Sequence, residues 1–589
     1  MSHLRAVLPY FRPYRRGMAL GLFLVVLANV FQTVQPWLVK LAVDALGDSG
    51  TTPADLLRLA GLLVLAALLG GAARYGMREL LNGVSRRMEC DLRDDLFAHL
   101  QRLDASFFGK YRTGDLMTRA AQDTSAVRMA VGPAIMYAVN TIVGFAFGLT
   151  LMLWISPRLT AWALVPMVLL PVSVLFFGRI IHRRYEQIQE QLSTLSTMVQ
   201  ENLTGVRIVR AYVQEDAQRA RFGELNREYM QRNVDLVRAS GLFHPLLSLL
   251  AGGGIVIVLW VGGLEIIAGR ITIGDFVAFV TYLGMLTWPL IALGWVVNLF
   301  QRGAASMGRL NRILALHPAI DTAADAVPLP DGPLTLEFRG VGFRYPDTER
   351  VVLDDVSFRV EPGMRVAVVG PTGSGKSTLV SLLPRLYDPT DGEILLNGIP
   401  LPRYDLHALR HAIGFVPQDA FLFSTSIRAN LALGLDAGQP DTEARVEDAA
   451  RVAQLDETVR DFPRGYDTAL GERGINLSGG QKQRATLARA LARDPRILVL
   501  DDALSAVDTH TEARILTDLK DVLAGRISFI ISHRVSAVMD ADLILVLDDG
   551  RIVERGAHAD LLARGGTYAR LHRRQLLEED LDPGLARAG

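Results

Sequence analysis

Six apolar runs, each about 20 residues or longer, dominate the first 300 residues of this 589-residue chain. They lie near Met18–Ala42, Leu56–Tyr75, Gly132–Ile155, Leu159–Ile181, Leu242–Ala268 and Ile273–Phe300. Runs of this length match the hydrocarbon thickness of a bilayer and read as membrane-spanning helices. In lipid the backbone must satisfy its own hydrogen bonds, which restricts such a region to helices. The first run carries Asn29, Gln32, Gln35 and Pro36, polar or helix-disturbing residues expected to face protein or water. The charged fraction is 21%, too high for a chain that lies wholly in a membrane, so a water-facing part is expected as well. Half the residues are apolar, which excludes a disordered chain. The single cysteine, Cys90, excludes a disulfide scaffold and is assigned no function.

Basic residues orient the spans. Arg12, Arg15 and Arg16 precede the first run, and Gly47–Asp55 after it has no Lys or Arg. The positive-inside rule then puts the amino terminus in the cytoplasm. No small-residue cleavage site closes the first run, so it reads as retained. The links Gly47–Asp55, Ser156–Arg158 and Gly269–Ile271 are short. Spans 2 and 3, and spans 4 and 5, are joined by about 55 and 60 polar, helix-favouring residues. Examples are Arg183–Ser193 and Gln214–Tyr229. Both segments fall on the cytoplasmic side, either as solvated loops or as stalks that carry force to a second domain.

The net charge of zero conceals two unlike halves. Residues 1–330 hold 31 Lys+Arg against 23 Asp+Glu, a net of about +8, and the remainder is about −8. The positive half suits a neighbourhood of anionic headgroups, the negative half water. Between them Gln301–Gly332 starts helical and becomes rich in Ala, Pro and Asp, a linker composition. The tail Glu578–Asp582 reads as solvated surface.

The second half carries the chemistry. Val366–Val369 reads as a buried strand, followed by Gly370-Pro371-Thr372-Gly373-Ser374-Gly375-Lys376-Ser377 and helix-like Thr378–Leu386. This is G-x-x-x-x-G-K-[ST] in a strand–loop–helix setting. Its glycines let backbone N–H groups approach phosphate oxygens, and the helix end adds a positive dipole. Lys376 is expected to reach the β- and γ-phosphates and Ser377 to hold Mg²⁺. A second apolar strand, Ile497–Leu500, ends in Asp501, an acid placed to organise the same Mg²⁺. Leu477-Ser478-Gly479-Gly480-Gln481 opens a helix Gln483–Arg493, which reads as an anion site or a simple helix cap.

Leu477–Gln481 spells the signature of ATP-binding cassette (ABC) ATPases, and from about Leu4 to Leu576 the chain resembles an ABC exporter half-transporter. In particular it is similar to bacterial multidrug and lipid exporters, including subunits of heterodimeric ones. The resemblance implies a multi-domain fold, an all-α six-helix transmembrane domain with long cytoplasmic extensions fused to an α/β P-loop ATPase. The domains would be 1–315 (membrane), 316–333 (linker), 334–576 (nucleotide binding) and 577–589 (tail). It implies ATP and Mg²⁺ as cofactors, with Gly370–Thr378 and Ser478–Gln481 binding nucleotide and Ser377, Gln418 and Asp501 holding the metal. Tyr345 would stack on adenine. Gln418, in Val416-Pro417-Gln418, would sense Mg²⁺ and the attacking water, and His533 would face the γ-phosphate. Ser505–Asp508 would cross a dimer interface. Glu472 would belong to a loop touching the membrane domain. Phe107–Thr118 and Ala211–Phe222 would be the coupling segments.

One position departs from the family. Active cassettes carry Glu after the Asp501 position, and this chain has Asp502. The catalytic carboxylate is thereby about 1.5 Å short, and errors near 1 Å can cost on the order of 10²-fold in rate. Each ABC site combines one cassette's P-loop with the other's signature. A weak Asp502 beside an intact Ser478–Gln481 therefore implies a heterodimer, with this chain's own ATP site degenerate. The alternative is a slow homodimeric exporter; an ATP-gated channel or sensory module is the non-transport reading. The fused order argues against an importer, and six spans exclude a nucleic-acid-handling cassette protein. A cavity lined by Asn29, Gln32, Asn140, His244, Tyr282, Trp288, Trp295 and Asn298 would suit hydrophobic or amphipathic compounds, and packing is the bland role for each. The expected setting is the cell membrane, multi-pass, with the ATPase cytoplasmic.

Overall fold

The computed structural model describes residues 2–48, 50–346, 348–435, 440–471, 474–534 and 537–581, with side chains at all of these but 2, 244, 251, 288–291, 293 and 577–581. The chain divides into two compact units, Met1–Gln101 with Thr113–Leu316, and Arg102–Arg112 with His317–Gly589.

The first unit is helical. Long helices run through His3–Leu46, Pro53–Arg102, Thr113–Ile155, Pro157–Thr204 and Glu215–Ile267, and these five are long and apolar enough to cross a membrane. The sixth, Ile273–Leu314, is apolar over Ile273–Thr287. Local chemistry fixes the ends. Ser156 accepts from the Leu159 amide at 3.2 Å and Pro157 supplies the first turn, where its missing N–H is harmless. Thr272 and Asp275 cap each other's backbone reciprocally at the start of the sixth helix. Thr113–Ile155 contains two π-helical stretches, Arg119–Asp123 and Ala130–Ala134, and Pro133 in the second removes a ladder donor.

The polar segments joining spans 2–3 and 4–5 are helical, as their composition and the stalk reading led one to expect: the span helices continue through them, Pro53–Arg102 with 50 residues and Glu215–Ile267 with 53. The second turn meets the expected Ala211–Phe222 only at that segment's start: a short helix Val206–Ala211 leads into the break where Val213 takes φ +54°, and from Glu215 the segment already belongs to the next helix. The first turn is a short helix Ala105–Lys110, broken before a new helix begins at Thr113.

The second unit is α/β. An antiparallel sheet has the order β2-β1-β4-β5, with β1 Leu336–Arg344, β2 Val351–Val360, β4 Asp391–Leu396 and β5 Ile399–Pro400. A larger sheet has the order β10-β9-β3-β8-β7-β6. Its strands are β3 Arg365–Val369, β6 Ile413–Val416, β7 Ile497–Asp501, β8 Ile527–Ile531, β9 Leu543–Asp548 and β10 Arg551–Gly556. All its pairs are parallel but β9–β10. In β3 the residues alternate between two cores, Val366 and Val368 joining one, Ala367 and Val369 the other. A strand buried on both faces reads as a continuous apolar run, and that is why it was legible. At the start of the second unit's main segment, His317–Pro333 is coil, yet Ile320 is buried and Val327 pairs with Tyr404.

Candidate functional site

The carboxyl ends of β3, β7 and β8 converge on one cleft of about 400 Å³. After β3 the chain makes the Gly370–Gly375 loop and enters a helix at Lys376. Gly370 has φ +151° and Gly375 has φ +100°. A Cβ on Gly370 would lie 2.0 Å from the Leu547 carbonyl oxygen, and one on Gly375 2.8 Å from that of Val352, so the loop admits only glycine at these two positions. Lys376 is buried and its ammonium donates to the carbonyls of Gly370 at 2.9 Å and Pro371 at 2.7 Å. Burial lowers its pKa, and the charges of Asp502 and Asp501 oppose that shift.

Asp501 ends β7 and is buried. Ser377 Oγ donates to its Oδ1 at 3.0 Å. Burial raises the Asp501 pKa; the Ser377 hydrogen bond pulls it back, and the Asp502 charge pushes the same way as burial. Without a cation the fold thus disfavours the ionised carboxylate. Asp502 sits at φ +49°, its amide donating to the Ile531 carbonyl at 2.9 Å. Its own carbonyl accepts from Ser505 Oγ at 3.0 Å, and Gln483 Nε2 donates to that hydroxyl at 2.9 Å. Arg534, next to His533, pairs with buried Glu512, so the β8 exit is tied to the helix Thr509–Leu523.

Of the residues expected from sequence, Tyr345, Thr372, Gly373, Gly375, Lys376, Ser377, Thr378, Gln418, Asp501, Asp502 and His533 line the cleft together. Tyr345 stands edge-on to Phe343 and Tyr387, with its hydroxyl 2.9 Å from Thr378 Oγ1. Gly370 and Pro371 turn toward a second cleft of about 410 Å³ that also touches Thr372 and His533. Ser374 is buried beneath the loop. The cleft has further walls that sequence reasoning missed: Thr348, Arg350, Val351, Val352, Ile531, Asp549 and Gly550. Thr348, Arg350, Asp549 and Gly550 come from the β1–β2 and β9–β10 connections, Val351 and Val352 open β2 and Ile531 ends β8; outside the β8 exit these positions carry no motif.

Ser478–Gln481 does not line this cleft. It forms a capping box on the helix Gly479–Ala492, Ser478 Oγ accepting from the Gln481 amide at 3.3 Å and Gln481 Oε1 from the Ser478 amide at 2.9 Å. Glu472 lies outside the described residues, as do the side chains of His244 and Trp288. Several supposed cavity residues are engaged in packing. Asn29 is buried and donates to Asn140 at 2.9 Å, and Tyr282 is buried with its hydroxyl on the Thr33 carbonyl at 2.8 Å. Gln32 accepts from Arg74 at 3.0 Å, and Trp295 is exposed beside Tyr137. Asn298 is half-buried.

The hydroxyl, carboxylate and amide oxygens of Ser377, Asp501 and Gln418 suit a hard divalent cation. Mg²⁺ sites use one or two protein ligands and complete the shell with phosphate and water.

Residues 18–290 match the family described as ABC transporter transmembrane region, and 353–505 the family described as ABC transporter. The chain is 37% identical to the "Probable multidrug resistance ABC transporter ATP-binding/permease protein YheI" of Bacillus subtilis (strain 168), over 96% of this chain and 97% of that protein. It is 34% identical to an "ATP-dependent lipid A-core flippase" of Syntrophus aciditrophicus (strain SB), over 100% and 97%. A solved structure, "Structure of a bacterial Atm1-family ABC exporter with ATP bound", superposes with TM-score 0.76 at 31% identity, over 95% of this chain and 98% of that one.

Proposed function

The chain belongs to the ABC transporter family, as an exporter-type fusion of a transmembrane region with an ATPase that couples ATP hydrolysis to transport, and on that premise we propose that it is the degenerate-site half of a heterodimer. Its substrates in this reading are hydrophobic or amphipathic compounds, which the names of its multidrug and flippase relatives support. The amino terminus and the ATPase face the cytoplasm of a bacterial inner membrane. The working divisions are 1–315, 316–333, 334–576 and 577–589.

In the cleft, Tyr345 takes the adenine face and the Gly370–Gly375 amides cradle the phosphates. Lys376 exchanges its two loop carbonyls for β- and γ-phosphate oxygens, a charge-assisted gain. Ser377, Asp501 and Gln418 hold Mg²⁺, whose chemistry there is to neutralise phosphate charge. Asp502 orients the attacking water from too far back, and His533 faces the γ-phosphate. Ser478–Gln481 serves the partner's site, in keeping with its standing outside this chain's own cleft lining. Closure around two nucleotides drives the spans only because nucleotide binds the closed state better than the open one.

The observation that carries the heterodimer is Asp502, a short acid where hydrolysing cassettes have Glu. Its test is the ATPase rate of the purified chain alone. Turnover far below the ordinary enzyme range is expected. A rate of about 1–10² s⁻¹, ordinary for an enzyme, would establish a self-sufficient homodimer and sink the proposal.

A further inference from the structure

The linker is not slack. Asp405 N–H donates to the Val327 carbonyl at 3.1 Å and Val327 N–H to that of Arg403 at 2.8 Å, one rung of parallel pairing. Leu406 N–H donates to Thr322 Oγ1 at 3.2 Å. Farther along, Arg496 Nη1 donates to the Pro330 carbonyl at 2.7 Å, and its Nη2 to the Gly332 carbonyl. The backbone of Arg496 is engaged too: its amide, at 2.9 Å, and that of Ile497, at 3.0 Å, share the carbonyl of Ala412.

These partners stand at one end of two strands. Ala412 precedes β6 and Arg496 precedes β7, and the two pair in parallel from Ile413 opposite Ile497 to Val416 opposite Leu500. At the other ends lie Gln418, Asp501 and Asp502, all in the cleft. The phosphate loop hangs instead on β3, with its glycines packed against Leu547 and Val352. We propose that Arg496 is a positioning residue: by clamping the linker to the starts of β6 and β7 it sets Gln418 and Asp501 for the metal, leaving the phosphate cradle to β3. The linker that leaves the last long helix thereby acts on the metal side of the nucleotide site. This rests on reading the cleft as that site.

A fork of two donors to two carbonyls is specific to arginine; lysine reaches one at a time. Removing a group hydrogen-bonded directly to a metal ligand costs about 10–100-fold in metal affinity; Arg496 acts from the far end of β7, through the strand, and is assigned the lower bound of that range. The test uses the full chain in lipid nanodiscs and a fluorescent ATP analogue (MANT-ATP), titrated with Mg²⁺ and also bound in EDTA. Arg496→Ala raises the Mg²⁺ needed for half-saturation about tenfold, with EDTA-state affinity kept within about twofold. Arg496→Lys restores part of the shift. Two glycines inserted between Leu329 and Pro330 displace the carbonyls, leave Arg496 in place, and shift Mg²⁺ dependence in the same direction. An unchanged Mg²⁺ requirement in both altered proteins overturns the proposal. So does an equal loss in EDTA and in Mg²⁺, which would make Arg496 merely structural. Failure of the unaltered chain to bind MANT-ATP at all would overturn the nucleotide reading itself.

Discussion

Asp502 holds a backbone conformation that bears on its chemistry. At φ +49° a non-glycine residue is in the left-handed region, where aspartate is among the better-tolerated side chains. Asp502→Glu is therefore expected to lower stability by no more than about 1 kcal/mol while returning the missing reach. ATP hydrolysis by the purified chain alone should rise, by up to on the order of 10²-fold; an unchanged phosphate-release rate would place the deficit elsewhere. Its neighbour gives a pH signature. The folded pKa of Asp501 is raised, chiefly by burial, so the stability it contributes is full below the ordinary carboxylate range and is lost as pH rises through its raised value. Asp501→Asn should then raise the Tm of the nucleotide-free protein at neutral pH and flatten its pH dependence there. The same change should abolish the extra stabilisation by Mg²⁺–ATP, read by thermal shift, and a fall in nucleotide-free Tm would contradict this account. Asp501 was legible from sequence as the acid that closes an apolar strand, and Asp502 only through the resemblance, as the position where family members carry Glu. Arg350 and Asp549 were not, since exposed charged residues in strand connections carry no signal until the fold brings them to the cleft.

Elements differ in how far their chemistry announces them. The apolar runs gave the membrane helices, yet not their lengths, because beyond the bilayer a helix needs only propensity and partners. One such partner is Arg309, whose guanidinium donates to both oxygens of buried Asp123 in the π-helical stretch Arg119–Asp123. Arg309→Ala strands that carboxylate and should cost about 1–3 kcal/mol. Arg221→Ala, which breaks only the exposed pair with Glu224, should cost less than about 1 kcal/mol. Thermal unfolding in one detergent compares them, and equal Tm losses would refute a structural role for the π-stretch pair. In the ATPase, β3 and β7 were visible as apolar runs. The antiparallel strands β1 and β2 were not: solvent-facing Arg339, Asp354 and Arg359 interrupt them, so each reads as a polar stretch with scattered apolar residues.

At the scale of the whole molecule, the proposed function makes Ser478–Gln481 a half-site separate from this chain's own cleft. The cleft gathers the P-loop, Gln418, Asp501, Asp502 and His533, while Ser478–Gln481 closes on itself as a capping box. A capping box stabilises a helix start by about 1 kcal/mol and presents its free amide end to an anion. In the proposed reading the same residues satisfy the helix in one chain and remain available to a nucleotide held by another. In a heterodimer with a degenerate site here, the two half-sites are unequal in consequence. Lys376→Ala removes nucleotide from the weak site, and the transporter co-purified with its partner should lose ATPase activity only severalfold. Ser478→Ala removes a donor from the partner's hydrolysing site, and activity should fall by on the order of 10²-fold, with the cap loss a minor term in Tm. In a homodimer every site contains both residues, so the two substitutions would reduce turnover alike. Steady-state phosphate release from the two variants decides between the assemblies, since equal losses leave no room for a division of labour.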